Sequence, residues 1–224
     1  MRLLNGLFFG FWCLMSTEHA YAQLVASLPT AHSAWDNILI RSDDEPSPQT
    51  VNIVRTLQAL GIKQAMFSVI GKHAERYPEG VRAIEAAGYT IVNHSYSHPL
   101  FNRSSIRQKF KKNPEMLRTE IEKTDAIISQ ALGRPFRSTV FATPGGAHYL
   151  PPSLKEIVTA TGRSVDTGWT IDTRDSCGPK RRLSSSTIAM LIRKELISGK
   201  RITILIHSRK GGWERDLKTI DVLI

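Results

Sequence analysis

Two histidines four residues apart, His94 and His98 in the run Asn93-His94-Ser95-Tyr96-Ser97-His98-Pro99, could hold a divalent metal if a carboxylate joined them. On one face of a helical turn, side chains at i and i+4 stand side by side. The adjacent pair Asp43-Asp44 offers that carboxylate from a separate strand end. Two histidines and one carboxylate make the three-ligand set of a catalytic zinc site, which keeps a position open for water. Such a water, its pKa lowered towards about 7, can attack an amide carbonyl. The other carboxylate of the pair is then free to act as a base beside the metal. A third histidine, His207, ends the largely apolar run Ile202-Thr203-Ile204-Leu205-Ile206. An imidazole titrates near neutral pH, which suits it to protonate a leaving amine.

These residues need elements to position them. Ile38-Leu39-Ile40 reads as a strand running into Asp43-Asp44, and Thr50 reads as the cap of a helix closed by Gly61. Ala65 to Ile70 reads as a buried strand, Glu79 to Ala87 as a helix, and Thr90-Ile91-Val92 as the strand that delivers His94. A long helix starts at Asn113-Pro114-Glu115, with proline in its first turn, and stops at Gly133. Ser138 to Phe141 is a strand before the loop Pro144-Gly145-Gly146, and Ser153 to Thr159 is helical. Ser164 to Ile171 reads as one extended segment ending at Asp172, and Ser185 caps a helix that ends at Gly199. Strands alternating with helices predict βα units around a parallel sheet. In a parallel βα barrel the C-terminal strand ends form the reactive face. Asp43, Asp44, His94, Asp172, Asp175 and His207 all fall at such ends.

The first residues read as an export leader. Arg2 precedes the apolar run Leu3 to Met15, which is too short for a bilayer crossing of about 20 residues. Ala20-Tyr21-Ala22 then supplies a cleavage signal. The expected organisation is a signal peptide at 1–22, a linker at 23–36 and one domain at 37–224, exported to the periplasm or secreted, with no membrane span. Cys13 leaves with the leader and Cys177 is left without a partner for an intrachain disulfide. A chain of about 200 residues can bury a sufficient core without one. The sequence has 30 Lys+Arg against 20 Asp+Glu, a formal charge of +10, and the leader removes one of each sign. Such a balance points to an anionic partner such as an envelope polymer. Nucleic acid is not expected, because no basic block is interleaved with aromatics. Lys109-Phe110-Lys111-Lys112 and Lys180-Arg181-Arg182 read as solvated surface.

The motifs resemble those of the polysaccharide deacetylases, the NodB-homology carbohydrate esterases (carbohydrate esterase family four). The resemblance is carried by Asp43-Asp44 to Pro46-Ser47-Pro48, Asn93 to Pro99, Trp169-Thr170-Ile171-Asp172-Thr173-Arg174-Asp175 and Ile204 to His207. It implies a distorted (β/α) barrel, here shortened at its C-terminal end. It also implies removal of N-acetyl (or O-acetyl) groups from peptidoglycan, chitin-like chains or exopolysaccharide. Carried over by position, Asp43 matches the base, Asp44, His94 and His98 the metal ligands, and His207 the general acid. Asp175 matches an aspartate paired with that acid, and a carboxylate beside an imidazole favours its protonated form. Tyr96, Pro144, Gly145 and Trp169 are expected to line the substrate. The metal implied is Zn²⁺, although this ligand set also takes Co²⁺ and others.

The chain departs from the pattern in four places. Arg41-Ser42 stand where the family has Thr-Phe, and Glu45 where it has a glycine that serves a positive φ. Ala142-Thr143-Pro144-Gly145-Gly146 aligns with Arg-Pro-Pro-Tyr-Gly, so the arginine that steadies the base is missing there. Ser176 replaces a tryptophan. Glu45, Ala142 and Ser176 favour, as one alternative, a glycan-binding pseudoenzyme, and a small-amide hydrolase on the same barrel is a second, against which stand the export leader and the basic surface.

Overall fold

The computed structural model of the protein describes residues 36–178, 180–208 and 212–221. The expected signal peptide lies outside them. Seven strands form one sheet in the order β5-β4-β3-β2-β1-β7-β6, and every neighbouring pair is parallel. β1 is Ile38–Glu45, β2 Ala65–Val69, β3 Thr90–Asn93, β4 Val140–Phe141, β5 Ser164–Val165, β6 Ile171–Asp172 and β7 Ile202–His207. Eight α-helices are described: α1 Thr50–Ala59, α2 Gly71–Arg76, α3 Pro78–Ala86, α4 Ser104–Lys112, α5 Glu115–Leu132, α6 Pro152–Ala160, α7 Ser185–Ile197 and α8 Trp213–Asp221. No helix among the described residues is long and apolar enough to cross a membrane.

The central strands are apolar because helices cover them. Ile38, Ile40, Phe67, Val69, Ile204 and Ile206 are fully buried in the main core, with Ile53 and Leu57 of α1 and Ile188 and Ile192 of α7. A strand buried on both faces carries a near-continuous apolar run. A second cluster holds Phe101, Phe110, Leu117, Ile121, Phe141, Leu154 and Val158. It fixes α4, α5 and α6 beside the β3–β4 end of the sheet.

The segment read as one extended stretch from Ser164 to Asp172 is two strands. β5 pairs with β4 at one edge of the sheet, whereas β6 pairs with β7 at the other. Residues 166–170 cross from edge to edge. Five residues span at most about 18 Å, so the two edges must approach, and the sheet curls into a distorted, incompletely closed (β/α) barrel.

Helix starts also differ in detail. Ser184, one residue before the expected position, caps α7 by accepting a hydrogen bond from Thr187 N at 3.1 Å. Thr50 does not cap α1. Its hydroxyl accepts from Ser47 N at 2.7 Å and donates to Glu45, so it ties the loop to β1 instead.

Candidate active site

The carboxylate pair is made by an irregular strand end. Ser42 pairs with Phe67, but Glu45 pairs with Val69, so β1 spends one more residue than β2 over the same distance. That bulge falls on Asp43-Asp44, and Asp44 has φ 66°. In a regular strand, successive side chains point to opposite faces. The bulge re-aims them, and both carboxylates face His94: Asp43 Oδ2 lies 3.9 Å and Asp44 Oδ1 3.7 Å from Nε2. The left-handed residue is therefore Asp44 and not Glu45, so the glycine-for-φ argument at residue 45 does not hold. Glu45 is a buried residue of β1 instead, accepting hydrogen bonds from Ser42 Oγ at 2.6 Å and from Thr50. Its burial pushes the carboxyl up to about 7, against the pull of those two donors.

His94 and His98 do not sit on a helix. They lie in a loop after β3, with Ser95 at φ 64° and His98 at φ 56°. Asn93, the last residue of β3, holds this loop. Its Oδ1 accepts from Ser95 N at 2.9 Å, and its Nδ2 donates to Ile121 O and to Asp125 at 2.8 and 2.7 Å. The His94 ring is oriented by Nδ1, 2.7 Å from Ala142 O, which leaves Nε2 for the site.

Asp44, His94 and His98 are, among the described residues, the one group that could hold a metal, with their ligand atoms within 4.8 Å of one another. Two donors each about 2.0–2.1 Å from a tetrahedral ion lie about 3.3 Å apart. The His98 Nε2–Asp44 Oδ1 distance of 3.0 Å and the His94 Nε2–Asp44 Oδ1 distance of 3.7 Å bracket that value. The residues fit a divalent ion. Burial works against the Asp44 charge, but the hydrogen bonds and charges of His94 and His98 win and hold it well below the usual range. His94 is shifted upward despite burial, by the carboxylates of Asp43 and Asp44.

Asp43 is gripped from its own strand. Arg41 Nε donates to Oδ1 at 2.7 Å and Nη2 to Oδ2 at 2.9 Å, and Ser68 also donates to Oδ1. Residues two apart share a strand face, so Arg41 and Asp43 both point inward. Asp43 thus has an arginine partner from its own strand, Arg41. Arg41 in turn bonds Asp166 of the crossing segment and lies 5.3 Å from the Trp169 ring centroid. Burial opposes ionisation of Asp43, and Arg41 outweighs it, so the carboxyl is shifted downward.

His207 pairs in register with Asp43 across β1 and β7. Asp175, fully buried, accepts from His207 N at 2.6 Å and lies 2.8 Å from Nδ1. Burial would lower the imidazole pKa, but Asp175 more than offsets it and pushes it up to about 9. A Cβ built on Gly146 would lie 3.5 Å from Trp169, so the Pro144-Gly145-Gly146 loop packs beside that ring. Gly145 has φ 83° and packs on Asn102, so a side chain there would be strained and crowded. Tyr96 is engaged elsewhere, with its hydroxyl donating to Glu75 at 3.2 Å and its ring 3.5 Å from Lys123 Nζ. Sequence reasoning noted Arg41 and Asn93 but gave no role to them, nor to Ser68 or Asp166. The signal for Arg41 was a lone cation inside an apolar strand, since a buried charge needs a partner.

The chain is thus a parallel, curled βα barrel with an Asp/His/His cluster that could hold a metal at its C-terminal strand ends. The sequence model of the polysaccharide deacetylase family matches residues 35–163, and the chain belongs to that family. It is 30% identical over 176 residues to a peptidoglycan-N-acetylglucosamine deacetylase of Bacillus cereus, covering 78% of this chain and 57% of that protein. It is 30% identical over 94 residues to a chitooligosaccharide deacetylase of Rhizobium leguminosarum bv. trifolii, covering 42% of this chain and 40% of that one. The chain thus spans less than two thirds of the length of these relatives. A family 4 carbohydrate esterase from Streptomyces lividans, solved with acetate, has the same fold, with TM-score 0.66, 23% identity and coverage of 83% and 86%.

Proposed function

We propose that the protein is a metal-dependent deacetylase of an extracytoplasmic amino-sugar polymer, exported behind residues 1–22, with one catalytic domain from residue 37 onward. The observation that carries this reading is the placement of the Asp44/His94/His98 cluster between a carboxylate and a histidine, each with its own buried partner. Asp44, His94 and His98 would hold the ion, and their nitrogen and oxygen donors suit Zn²⁺. Such an ion supplies Lewis acidity, making water acidic enough to react near pH 7.

Asp43 stays ionised beside Arg41 and takes the proton of the attacking water. His207, protonated at neutral pH through Asp175, gives its proton to the leaving amine nitrogen as the C–N bond breaks. The products are acetate and a free amino sugar. Pro144, Gly145 and Trp169 are the proposed contacts for the sugar. The bidentate Arg41–Asp43 pair weighs against the pseudoenzyme reading, because the base keeps its arginine.

The test is acetate release from N-acetylchitooligosaccharides, peptidoglycan and acetylated exopolysaccharide, with metal-stripped and metal-reloaded protein. Turnover that is lost on stripping and regained with Zn²⁺ or Co²⁺ is expected. Equal turnover of stripped and loaded protein would sink the metal-dependent reading.

A further inference from the structure

Beyond the metal-site loop the chain enters α4, whose sequence Ser104-Ser105-Ile106-Arg107-Gln108-Lys109-Phe110-Lys111-Lys112 contains no acid. Phe110 turns inward against Phe101, their ring centroids 5.2 Å apart, and Ile106 packs on the same cluster. Arg107 is tied down, with Nη1 donating to Phe101 O at 2.6 Å. Arg103, Lys109, Lys111 and Lys112 remain exposed, and none of them forms an ion pair among the described residues. Like charges three and four apart on a helix repel one another. α4 holds Lys109 and Lys112 three apart, and Arg107 and Lys111 four apart, with no carboxylate between them.

A cavity of about 310 Å³ opens under this helix, and His98 is one of its walls. Arg103, Ile106, Lys109 and Phe110 also line it. Glu120 also lines it, its oxygens accepting from Ser97 N at 2.6 Å and Ser97 Oγ at 2.7 Å, so the lining carries one carboxylate against the two cations. An occupant of the cavity would touch a residue of the metal cluster and the unpaired cations together. The volume is at the small end of ligand cavities, enough for one ring or substituent.

We propose that α4 and this cavity form an anion subsite that selects amino-sugar polymers bearing a carboxylate close to the acetamido group over neutral chitin-like chains. The proposal rests on the deacetylase reading above. The shared chemistry is a sugar carboxylate, either a lactyl ether on the amino sugar or a neighbouring uronate ring. Nucleic acid fits less well, because α4 presents no exposed aromatic on which a base could stack.

The experiment compares kcat/KM of the metal-loaded protein on four probes. These are N-acetylchitotetraose, peptide-free peptidoglycan strands with free lactyl carboxylates, the same strands methyl-esterified, and an oligosaccharide alternating N-acetylglucosamine with glucuronate. At low salt a carboxylated probe should exceed its neutral counterpart by about tenfold or more, as for steered association into a charged cleft. The preference should shrink as salt shortens the reach of the exposed cations. The double variants R103E/K109E and R103Q/K109Q should both lose it, whereas Lys194→Glu on α7 should keep it. Preference confined to the lactyl or to the uronate arm supports the subsite and names the carboxylate. Equal rates on acid and ester, or a preference surviving both double variants, overturns the proposal. If no probe is hydrolysed, the deacetylase reading fails. Calorimetric binding of free-acid and esterified strands then decides the subsite alone, and equal affinity refutes it.

Discussion

Arg41 and Asp43 stand two residues apart on β1 and form a two-pronged ion pair inside the barrel, with the Arg41 side chain fully buried. The same guanidinium bonds Asp166. Arg41→Lys cannot reproduce a planar fork that serves two carboxylates. It should retain metal but lose about ten- to a hundredfold in turnover, the usual scale when a partner that orients a site residue is removed. Arg41→Ala should cost about 3–5 kcal/mol of stability, because two carboxylates are left buried and unpaired. Metal analysis, kcat and urea unfolding test the pair. Full activity of Arg41→Lys would show that Asp43 does not depend on its fork.

The two adjacent aspartates should separate cleanly. Asp43→Asn should keep the metal and lose hydrolysis, whereas Asp44→Asn and His94→Ala should lose the metal. Because ligands must be deprotonated, affinity should also fall as pH drops, and the upward shift of His94 makes protons strong competitors. Metal content measured by mass spectrometry after dialysis decides it. An equal loss of metal in Asp43→Asn would make that residue a ligand.

His207 acts in its protonated form in the proposed reaction, so activity should fall as pH rises through its pKa. Burial would place that pKa low, but Asp175 raises it to about 9. Asp175→Asn should move the alkaline limb of the pH–rate profile downward, towards the ordinary value of about 6.5. The raised pKa also contributes stability that is complete below about 6.5 and lost as pH rises through about 9. Unfolding curves across that window give a second reading. A limb that stays in place in Asp175→Asn means that the proton donor lies elsewhere.

Glu45→Gly, which restores the residue of the family pattern, should destabilise the protein. It removes the acceptor for the buried Ser42 and Thr50 hydroxyls, at about 1–3 kcal/mol. No positive φ is relieved, since that conformation belongs to Asp44. An unchanged or raised Tm would contradict this account.

The alternation of strand and helix was legible because apolar runs with glycine stops state it locally. So was the gathering of Asp43, Asp44, His94, Asp175 and His207, because each ends a recognisable strand or closely follows one. The loop geometry was not legible. A spacing of four fits a helix, but Pro99 after His98 argued against one, because proline disfavours the α region in the residue before it. The split of residues 164–172 between two sheet edges was hidden because either half alone reads as extended chain. The Arg41 pair was hidden because sequence records that a strand contains a cation but not which face it takes.

The crossing segment at residues 166–170 is the seam between the two sheet edges, and Asp166 fastens it to the guanidinium that grips Asp43. Opening of the seam would therefore remove one of the two carboxylates that hold the Arg41 guanidinium in place beside Asp43. A fluctuation that lifts residues 166–170 would silence the site before the domain unfolds. Amide hydrogen exchange in this short stretch should thus track thermal inactivation more closely than exchange in the central strands.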